Sequence, residues 1–219
     1  SKFATTIFVS FEESLNFFPR DKTELSGYPV RETCFSPIPS SLIFDNVDLT
    51  KLTKPLLFIT GGGNGSELIN TLVKDSLSIV EKEYFIIHQV GKKNILEYSQ
   101  LKTENYHPFE FIKDNMIDLM KLSDVIIARA GAGTVCELMA LNKPTVFIPL
   151  KIAQKNEQFH NAKEAELQNG SLVIEEDTLK SIDLVDLLEM FNNRSNIDQS
   201  KNTEFNNGTK IIINYLSKS

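Results

Sequence analysis

The 219-residue sequence lacks several features that would assign it to a class at once. It contains no tryptophan and only two cysteines, Cys34 and Cys136, which lie far apart and in no metal-binding or Cys-x-x-Cys spacing. This usage favours free thiols in a reducing compartment over a disulfide framework. No apolar stretch reaches the length of a membrane span, and the N-terminus has no signal-peptide pattern. We therefore expect a cytoplasmic protein.

Basic clusters are also absent. The chain has 23 Lys and Arg residues against 29 Asp and Glu residues, a formal net charge of −6 and a pI near 5.2. No stripe of basic residues with interleaved aromatics occurs, so the composition argues against nucleic acid as a partner, and against binding of anionic lipid through this chain. His88 and His160 have no third metal ligand at a suitable spacing. We predict neither a metal site nor another cofactor.

The hydrophobic residues, 41% of the chain, are enough for a sizeable core. Short apolar runs begin near Leu56, Tyr84, Phe109, Val125, Thr145 and Leu172. Segments of helical period lie between these runs. Strands that alternate with helices form βαβ units, so the sequence predicts an α/β fold with a Rossmann-like, doubly wound parallel sheet. Two further helical patterns, 184–191 and 210–216, should pack against the sheet edge or a neighbouring domain.

The first fifty residues do not follow this alternation. Two strand patterns, 5–11 and 23–30, precede a linker that contains proline and serine. Two strands alone make a poor domain, so we interpret them as the end of a preceding domain. The predicted units are therefore a domain remnant with its linker at 1–50, a Rossmann-like domain at 51–200 and a C-terminal helix at 201–219.

Two turns of small residues are the strongest candidates for a ligand site. The first is Gly61-Gly62-Gly63-Asn64-Gly65 and the second lies within Arg129 to Glu137; each follows an apolar run and leads into a helical pattern. In a parallel sheet such turns lie at the carboxyl ends of strands, where free N–H groups and the helix dipole favour an anion such as a phosphate. The first turn lacks the residues of a Walker A loop and, with Ser66, the last glycine of the dinucleotide fingerprint. By itself it could also be only a tight turn.

Six motifs, taken in order, resemble the C-terminal half of the MurG family over nearly the whole chain. They are Gly27 to Arg31, Gly61 to Gly65, His88 to Lys92, Phe111-Ile112, Arg129 to Glu137, and Glu157 to Ala162. MurG enzymes add N-acetylglucosamine (GlcNAc) from UDP-GlcNAc to a lipid-linked muramyl-pentapeptide in peptidoglycan synthesis. The resemblance implies a GT-B fold, in which two Rossmann-like domains face across a cleft and the C-terminal one binds the donor. This chain would hold that domain and the last strands of the acceptor domain.

The resemblance also implies roles for individual residues. The diphosphate would meet the glycine turn at Gly61, Gly62, Gly63, Asn64 and Gly65 and the second turn at Gly131, Ala132, Gly133 and Thr134. Uracil would meet Phe111 as a wall and Ile112 as a donor of backbone hydrogen bonds, and the ribose hydroxyls would meet Glu137. Arg31 would reach the nucleotide from the interdomain side, and Arg129 is a further candidate contact. The sugar hydroxyls would meet Glu157, Gln158 and Asn161.

The sequence departs from the family at two of these positions. Relatives commonly have Ser at the position of Gly63, so only backbone N–H groups can serve there. They commonly have Gln or His at the position of Glu157, which makes Gln158 the better candidate.

Without the resemblance, each of these residues has a simpler interpretation. Arg31 would be a solvated charge, Arg129 a structural ion-pair partner and Glu137 a helix residue that favours the dipole. Phe111 and Ile112 would belong to the core, and the polar residues of 157–161 would be solvated. His88 would be a hydrogen-bonded residue at a strand end.

No catalytic base can be assigned in this chain. By resemblance the base lies in the missing N-terminal domain, as do the contacts with the lipid acceptor and with the cytoplasmic face of the inner membrane, where the full-length protein would be peripheral. We therefore expect a part of an inverting transferase that is inactive alone. Three alternatives stay open: a subunit of a split, two-chain GlcNAc transferase, a UDP-GlcNAc epimerase of similar fold, and a non-catalytic nucleotide-binding module.

Overall fold

The computed structural model describes residues 3–152, 156–194, 205 and 207–218. The strands within these residues are β1 (Ile7–Val9), β2 (Thr23–Leu25), β3 (Ile43–Phe44), β4 (Val47–Asp48), β5 (Leu56–Thr60), β6 (Phe85–Gln89), β7 (Tyr106–Phe109), β8 (Val125–Ala128), β9 (Val146–Phe147) and β10 (Leu172–Val173). The α-helices are α1 (Glu67–Val80), α2 (Ile95–Ser99), α3 (Met116–Leu122), α4 (Ala132–Ala140), α5 (Glu157–Asn169), α6 (Leu184–Asn193) and α7 (Gly208–Leu216). No helix among the described residues is long and apolar enough to cross a membrane.

Six of the strands form one parallel sheet in the order β10-β9-β8-β5-β6-β7. The predicted Rossmann-like sheet is thus confirmed. The chain builds outward from β5 in one direction through β6 and β7, then returns to the other side of β5 and continues through β8, β9 and β10. The strand order therefore reverses between β5 and β8, and in open α/β sheets ligands bind outside the carboxyl ends of the strands at such a point.

The core lies on both faces of this sheet, because successive side chains of a strand point to opposite faces. Phe58 and Ile126 pack on one face with residues of α3, α4 and α5. Leu57 and Ile127 pack on the other face with residues of α1 and α6. These side chains are almost completely buried, and burial of each stabilises the fold by roughly 1.5–3 kcal/mol. The continuous apolar runs of the sequence are thus explained by strands covered on both sides.

Strand β7 differs from its prediction, because the apolar run expected to begin near Phe109 ends there. The strand begins at Tyr106 and includes Pro108. Proline lacks an N–H and is tolerated here because β7 is the edge of the sheet. Phe111 therefore lies in the segment after the strand and does not end it. Helix α5 ends at Asn169, and Gly170 follows it in the left-handed conformation (φ 74°), as is common after a helix.

The N-terminal segment contains less strand and more turn than predicted. β1 and β2 are shorter than the two strand patterns and pair in parallel. The predicted linker contains the antiparallel hairpin β3–β4, which the sequence interpretation missed. Its turn consists of Asp45 and Asn46, both with positive φ (49° and 66°). Asp and Asn tolerate this conformation, so the pair was a usable hairpin signal.

The two C-terminal helices pack in different places. The N–H of Leu184, in α6, lies 3.4 Å from Ser76 Oγ of α1, so α6 covers one face of the main domain. In α7, the Tyr215 ring meets the Phe8 ring edge-on at 5.2 Å, so this helix contacts the N-terminal segment. The predicted division into three units stays a prediction. Residues 195–204, between the two predicted helices, lie outside the described residues.

Candidate functional site

The loops that contain the predicted ligand residues begin at one edge of the sheet. Thr60 of β5 is in register with Ala128 of β8 and with Gln89 of β6, and Gln89 is in register with Phe109 of β7. The loops after these four strands therefore start at the same level. Because β5 and β8 flank the reversal of strand order, the glycine turn and the second turn lie side by side at the expected ligand position.

In the glycine turn, residues 61–65, two glycines are required by close packing. A Cβ on Gly61 would lie 2.3 Å from the backbone nitrogen of Ser66, and one on Gly65 would lie 2.1 Å from the carbonyl oxygen of Val90. These positions fit the interpretation as a tight turn. Gly62 (φ 80°) has open space around it, and a Cβ on Gly63 would meet only the Phe111 ring, at 3.8 Å. Ligand binding by this turn stays a prediction.

The helix that follows this turn does not offer the open amino terminus that we expected. Ser66 is the N-cap residue of α1, and its hydroxyl accepts from the N–H of Ile69 at 3.5 Å. The same hydroxyl accepts from Nη2 of Arg129 at 2.7 Å. Ser66 therefore caps one of the first amides of α1, as is usual for a Ser N-cap, and its hydroxyl is shared with Arg129.

The second helix, α4, has the open amino terminus. Its N-cap residue is Gly131, which has no side chain to cap the helix, and a Cβ there would meet nothing within 4 Å. The first amides of the helix, at Ala132, Gly133 and Thr134, therefore lack a capping side chain and lie at the positive end of the helix dipole. This arrangement suits a phosphate. Binding by these residues stays a prediction.

Glu137 follows one turn into α4 and pairs with Arg31. The guanidinium Nε and Nη2 donate to Oε1 and Oε2 of Glu137 at 2.6 and 2.8 Å. The pair raises the pKa of Arg31, chiefly through this hydrogen bond. The structure thus brings together two residues predicted to bind one nucleotide, and Arg31, although half-exposed, is paired and not merely solvated.

Arg129 has the contacts of a structural ion pair. Its Nη2 lies 2.7 Å from Oε1 of Glu176, and its Nη1 donates to the carbonyl of Ile148 at 3.0 Å. With its bond to Ser66, this guanidinium links the loops after β8 and β9 to the start of α1. These contacts fit the alternative interpretation, and a direct contact with a ligand stays a prediction.

The predicted base-binding residues, Phe111 and Ile112, differ in exposure. The side chain of Phe111 is 55% exposed and lies beside the glycine turn, whereas Ile112 is buried in the core. The N–H of Ile112 donates to Oε1 of Gln89 at 2.8 Å. In this structure that hydrogen is engaged by Gln89, and the donation from the N–H of Ile112 to uracil stays a prediction. The sequence pattern gave no sign of this role of Gln89.

The predicted sugar-binding residues lie at the start of α5. Oε1 of Gln158 accepts from the N–H of Leu150 at 3.1 Å, and Nδ2 of Asn161 donates to the carbonyl of Ala130 at 3.2 Å. These two side chains thus fix the loops after β9 and β8 and are not merely solvated, whereas Glu157 is exposed. Contact with a sugar stays a prediction for all three. Residues 153–155, just before α5, lie outside the described part of the chain.

His88 is a buried structural residue. Its Nε2 lies 3.2 Å from Oδ1 of Asn70, and its Nδ1 lies 3.0 Å from the Tyr106 hydroxyl. Since Nδ2 of Asn70 donates to the Val90 carbonyl, Oδ1 accepts, so we assign the proton to Nε2. Burial lowers the pKa of His88 to about 3, which keeps the ring neutral. The prediction of a hydrogen-bonded strand-end residue is confirmed.

Within the described part of the chain, neither the candidate metal ligands nor the two cysteines suggest a reactive centre. Among the described residues, no group of three His, Cys, Asp or Glu side chains could hold a metal ion. Cys34 and Cys136 are both buried and unpaired. Burial raises the pKa of Cys136 to about 12, which suppresses the reactive thiolate.

The fold is that of the C-terminal domain of a GT-B glycosyltransferase, a doubly wound sheet whose ligand edge bears an open helix terminus. The profile of the glycosyltransferase family 28 C-terminal domain matches residues 56–215. The chain belongs to this family.

Individual relatives agree with the MurG resemblance. The UDP-N-acetylglucosamine–N-acetylmuramyl-(pentapeptide) pyrophosphoryl-undecaprenol N-acetylglucosamine transferase of Clostridium tetani is 36% identical over 219 residues, which is 99% of this chain and 60% of that protein. The crystal structure of Acinetobacter baumannii MurG matches at 25% identity with a TM-score of 0.63, over 78% of this chain and 52% of that one. The chain thus spans about 60% of the length of the C. tetani relative.

The same fold occurs in an enzyme of another class. Methanocaldococcus jannaschii UDP-GlcNAc 2-epimerase, solved with UDP-GlcNAc and UDP, matches with a TM-score of 0.64 at 13% identity, over 98% of this chain and 61% of that one. An identity this low shows the fold alone, so the family match favours the transferase over the epimerase.

Proposed function

We propose that this chain is the UDP-GlcNAc-binding part of an inverting N-acetylglucosaminyltransferase that makes the lipid-linked peptidoglycan precursor. The main support is the position of Glu137 one turn beyond the open amino terminus of α4. This spacing offers amide donors for a diphosphate and, next to them, a carboxylate whose oxygens suit the two ribose hydroxyls. The N-acetylglucosamine transferase activity for which the C. tetani relative is named supports GlcNAc as the sugar.

In this proposal the domain contributes to the reaction by stabilising the leaving group. An acceptor hydroxyl attacks the anomeric carbon, and the bond to UDP breaks as negative charge develops on the diphosphate. The first amides of α4, at Ala132, Gly133 and Thr134, would stabilise that charge without having to reorient. The Phe111 ring would stack on the flat face of uracil, and this contact would favour binding of the base.

The acceptor and the base that activates it belong to the proposed remainder of the enzyme. Of the two histidines named above, His88 is buried out of reach of an acceptor hydroxyl, and burial lowers its pKa to about 3, which makes it a poor base. We propose a lipid-linked muramyl-pentapeptide as acceptor, bound by an N-terminal domain. Contact with the cytoplasmic face of the inner membrane would also be made there.

The test compares the product of the complete gene with residues 1–219 alone. Each is incubated with radiolabelled UDP-GlcNAc and a lipid-linked muramyl-pentapeptide, and label in the lipid fraction is counted. We expect transfer by the complete product and none by residues 1–219. Conversion of UDP-GlcNAc to UDP-N-acetylmannosamine without transfer would support the epimerase and contradict the proposal. Transfer by residues 1–219 alone would refute the assignment of the base to another domain.

A further inference from the structure

Gln89, the last residue of β6, connects the glycine turn with the segment that follows β7. Its side chain is almost fully buried. Oε1 accepts from the N–H of Ile112 at 2.8 Å, and Nε2 donates to the carbonyl of Gly62 at 2.9 Å and lies 3.2 Å from Thr60 Oγ1. One amide therefore bonds the glycine turn and the segment after β7 at the same time.

The orientation of this amide follows from its partners. A backbone N–H can only donate and a backbone carbonyl can only accept, so Oε1 must face Ile112 and Nε2 must face Gly62. The N–H of Gly62 is fixed as well, because it donates to Thr60 Oγ1 at 3.0 Å. Both peptide groups around Gly62 are thus held at its positive φ of 80°.

The two bonds of Gln89 determine where the other halves of the same peptide groups point. The described residues contain no cis peptide bond, and in a trans peptide the C=O and the N–H point in opposite directions. The Gly62 carbonyl points inward to Gln89, so the N–H of Gly63 points outward. The N–H of Ile112 points inward to Gln89, so the carbonyl of Phe111 points outward. Gly63 and Phe111 are exposed residues that follow the carboxyl ends of β5 and β7, and we take outward to mean toward the ligand edge of the sheet.

We propose that Gln89 is a positioning residue that presents the N–H of Gly63 to the diphosphate and the carbonyl of Phe111 to the base. This inference rests on the proposed function. Gly63 has no side chain, so only its backbone N–H can donate a hydrogen bond to an anion at this position. A carbonyl accepts from N3–H of uracil but faces a lone pair at N3 of cytosine. Gln89 thereby selects a uridine diphosphate through two backbone groups, although it does not touch the ligand itself.

The experiment uses two variants and a matched control. Gln89→Met keeps the length of the side chain and loses both bonds, whereas Gln89→Glu keeps the acceptor for Ile112 and loses the donor to Gly62. The control is Asn94→Ala, which removes a bond of 3.1 Å from Nδ2 to the carbonyl of Val90 in the neighbouring loop. Each protein is titrated calorimetrically with UDP, uridine and CDP, and its thermal unfolding is recorded.

For Gln89→Met we expect the affinity for UDP to fall by about tenfold or more, because two ligand hydrogen bonds lose their alignment. The preference for UDP over CDP should fall with it. For Gln89→Glu the loss should be greater for UDP than for uridine. This loss of affinity, measured relative to the wild type at the same pH, should diminish as the pH is lowered. The introduced carboxyl is then protonated and can again donate to the carbonyl of Gly62. Asn94→Ala should keep the wild-type ratios.

The titrations distinguish a wrong proposed function from a wrong role for Gln89. If the wild type does not prefer UDP to CDP and to purine nucleotides, the proposed function is contradicted. If the wild type shows that preference and Gln89→Met keeps both the affinity and the ratios, Gln89 has no positioning role. Should Gln89→Met fail to fold, the pH dependence of Gln89→Glu decides: a loss for UDP that does not change with pH would overturn the inference.

Discussion

Arg31 and Glu137, 106 positions apart in the sequence, bind each other through two hydrogen bonds of 2.6 and 2.8 Å. Both residues are predicted to contact the nucleotide, one from the N-terminal segment and the other from α4. The guanidinium matches the carboxylate in a two-point geometry. The pair fixes the N-terminal segment to the ligand edge of the main domain. A ribose that binds Glu137 must therefore share its oxygens with Arg31 or displace Arg31.

Replacing Glu137 should weaken binding of the nucleotide. Glu137→Ala removes the carboxylate from the ribose hydroxyls, so the affinity for UDP should fall by about 1–3 kcal/mol, the scale of hydrogen bonds to charged groups. Circular dichroism should be unchanged, because the backbone of the turn is intact. Glu67→Ala, in the first turn of α1, is the control and should leave the affinity unchanged. An unchanged dissociation constant for Glu137→Ala would make Glu137 an ordinary helix residue.

Replacing Arg31 should affect binding of the phosphates and binding of the ribose differently. Arg31→Ala removes a positive charge near the expected diphosphate and also removes the group that competes for Glu137. We expect the affinity for UDP to fall by about 1–2 kcal/mol, and the affinity for uridine not to fall. Calorimetric titration of both ligands measures the difference, with Arg20→Ala as the control in the same segment. Equal losses for UDP and uridine would contradict a contact between Arg31 and the phosphates.

The buried, neutral His88 predicts a specific dependence of stability on pH. In the unfolded chain a histidine has a pKa near 6.5, whereas burial lowers the pKa of His88 to about 3. Between these values the unfolded chain binds a proton that the native state does not. The stability due to the neutral ring is therefore complete above about pH 6.5 and is lost as the pH falls toward the native pKa.

Replacement of the ring should flatten this dependence. For His88→Gln, the free energy of unfolding should fall less steeply than in the wild type between about pH 6 and pH 4. The two slopes should differ by up to about 1.4 kcal/mol per pH unit. Urea unfolding at several pH values measures both slopes. His160→Gln, at an exposed position of α5, should keep the wild-type slope. Identical slopes for wild type and His88→Gln would show that His88 is not neutral in the native state.

The sheet could be predicted from the sequence because its strands are buried on both faces and thus appear as continuous apolar runs. Strand boundaries were harder to predict, since β7 contains Pro108, which the edge of the sheet tolerates. The hairpin β3–β4 was missed although its Asp45-Asn46 turn is a local signal. The cap at Ser66 was a local signal too, because serine before a helical pattern is a common N-cap.

The contacts within the site could not be predicted in the same way. The bonds of Gln89 and the ion pair of Arg31 join segments far apart in the chain, and no local pattern indicates which partner a buried amide or an exposed guanidinium will meet. The motifs identified the residues at the ligand edge. They did not show that Ile112 donates to Gln89 or that Arg129 pairs with Glu176.

If this domain binds a uridine diphosphate sugar, its selectivity among nucleotides should show it. Residues 1–219 are titrated calorimetrically with UDP-GlcNAc, ADP, GDP and NAD under the same conditions. We expect UDP-GlcNAc to bind at least about tenfold more tightly than any of the others, a difference of about 1.4 kcal/mol. Binding of NAD or of a purine nucleotide with equal or higher affinity would contradict it.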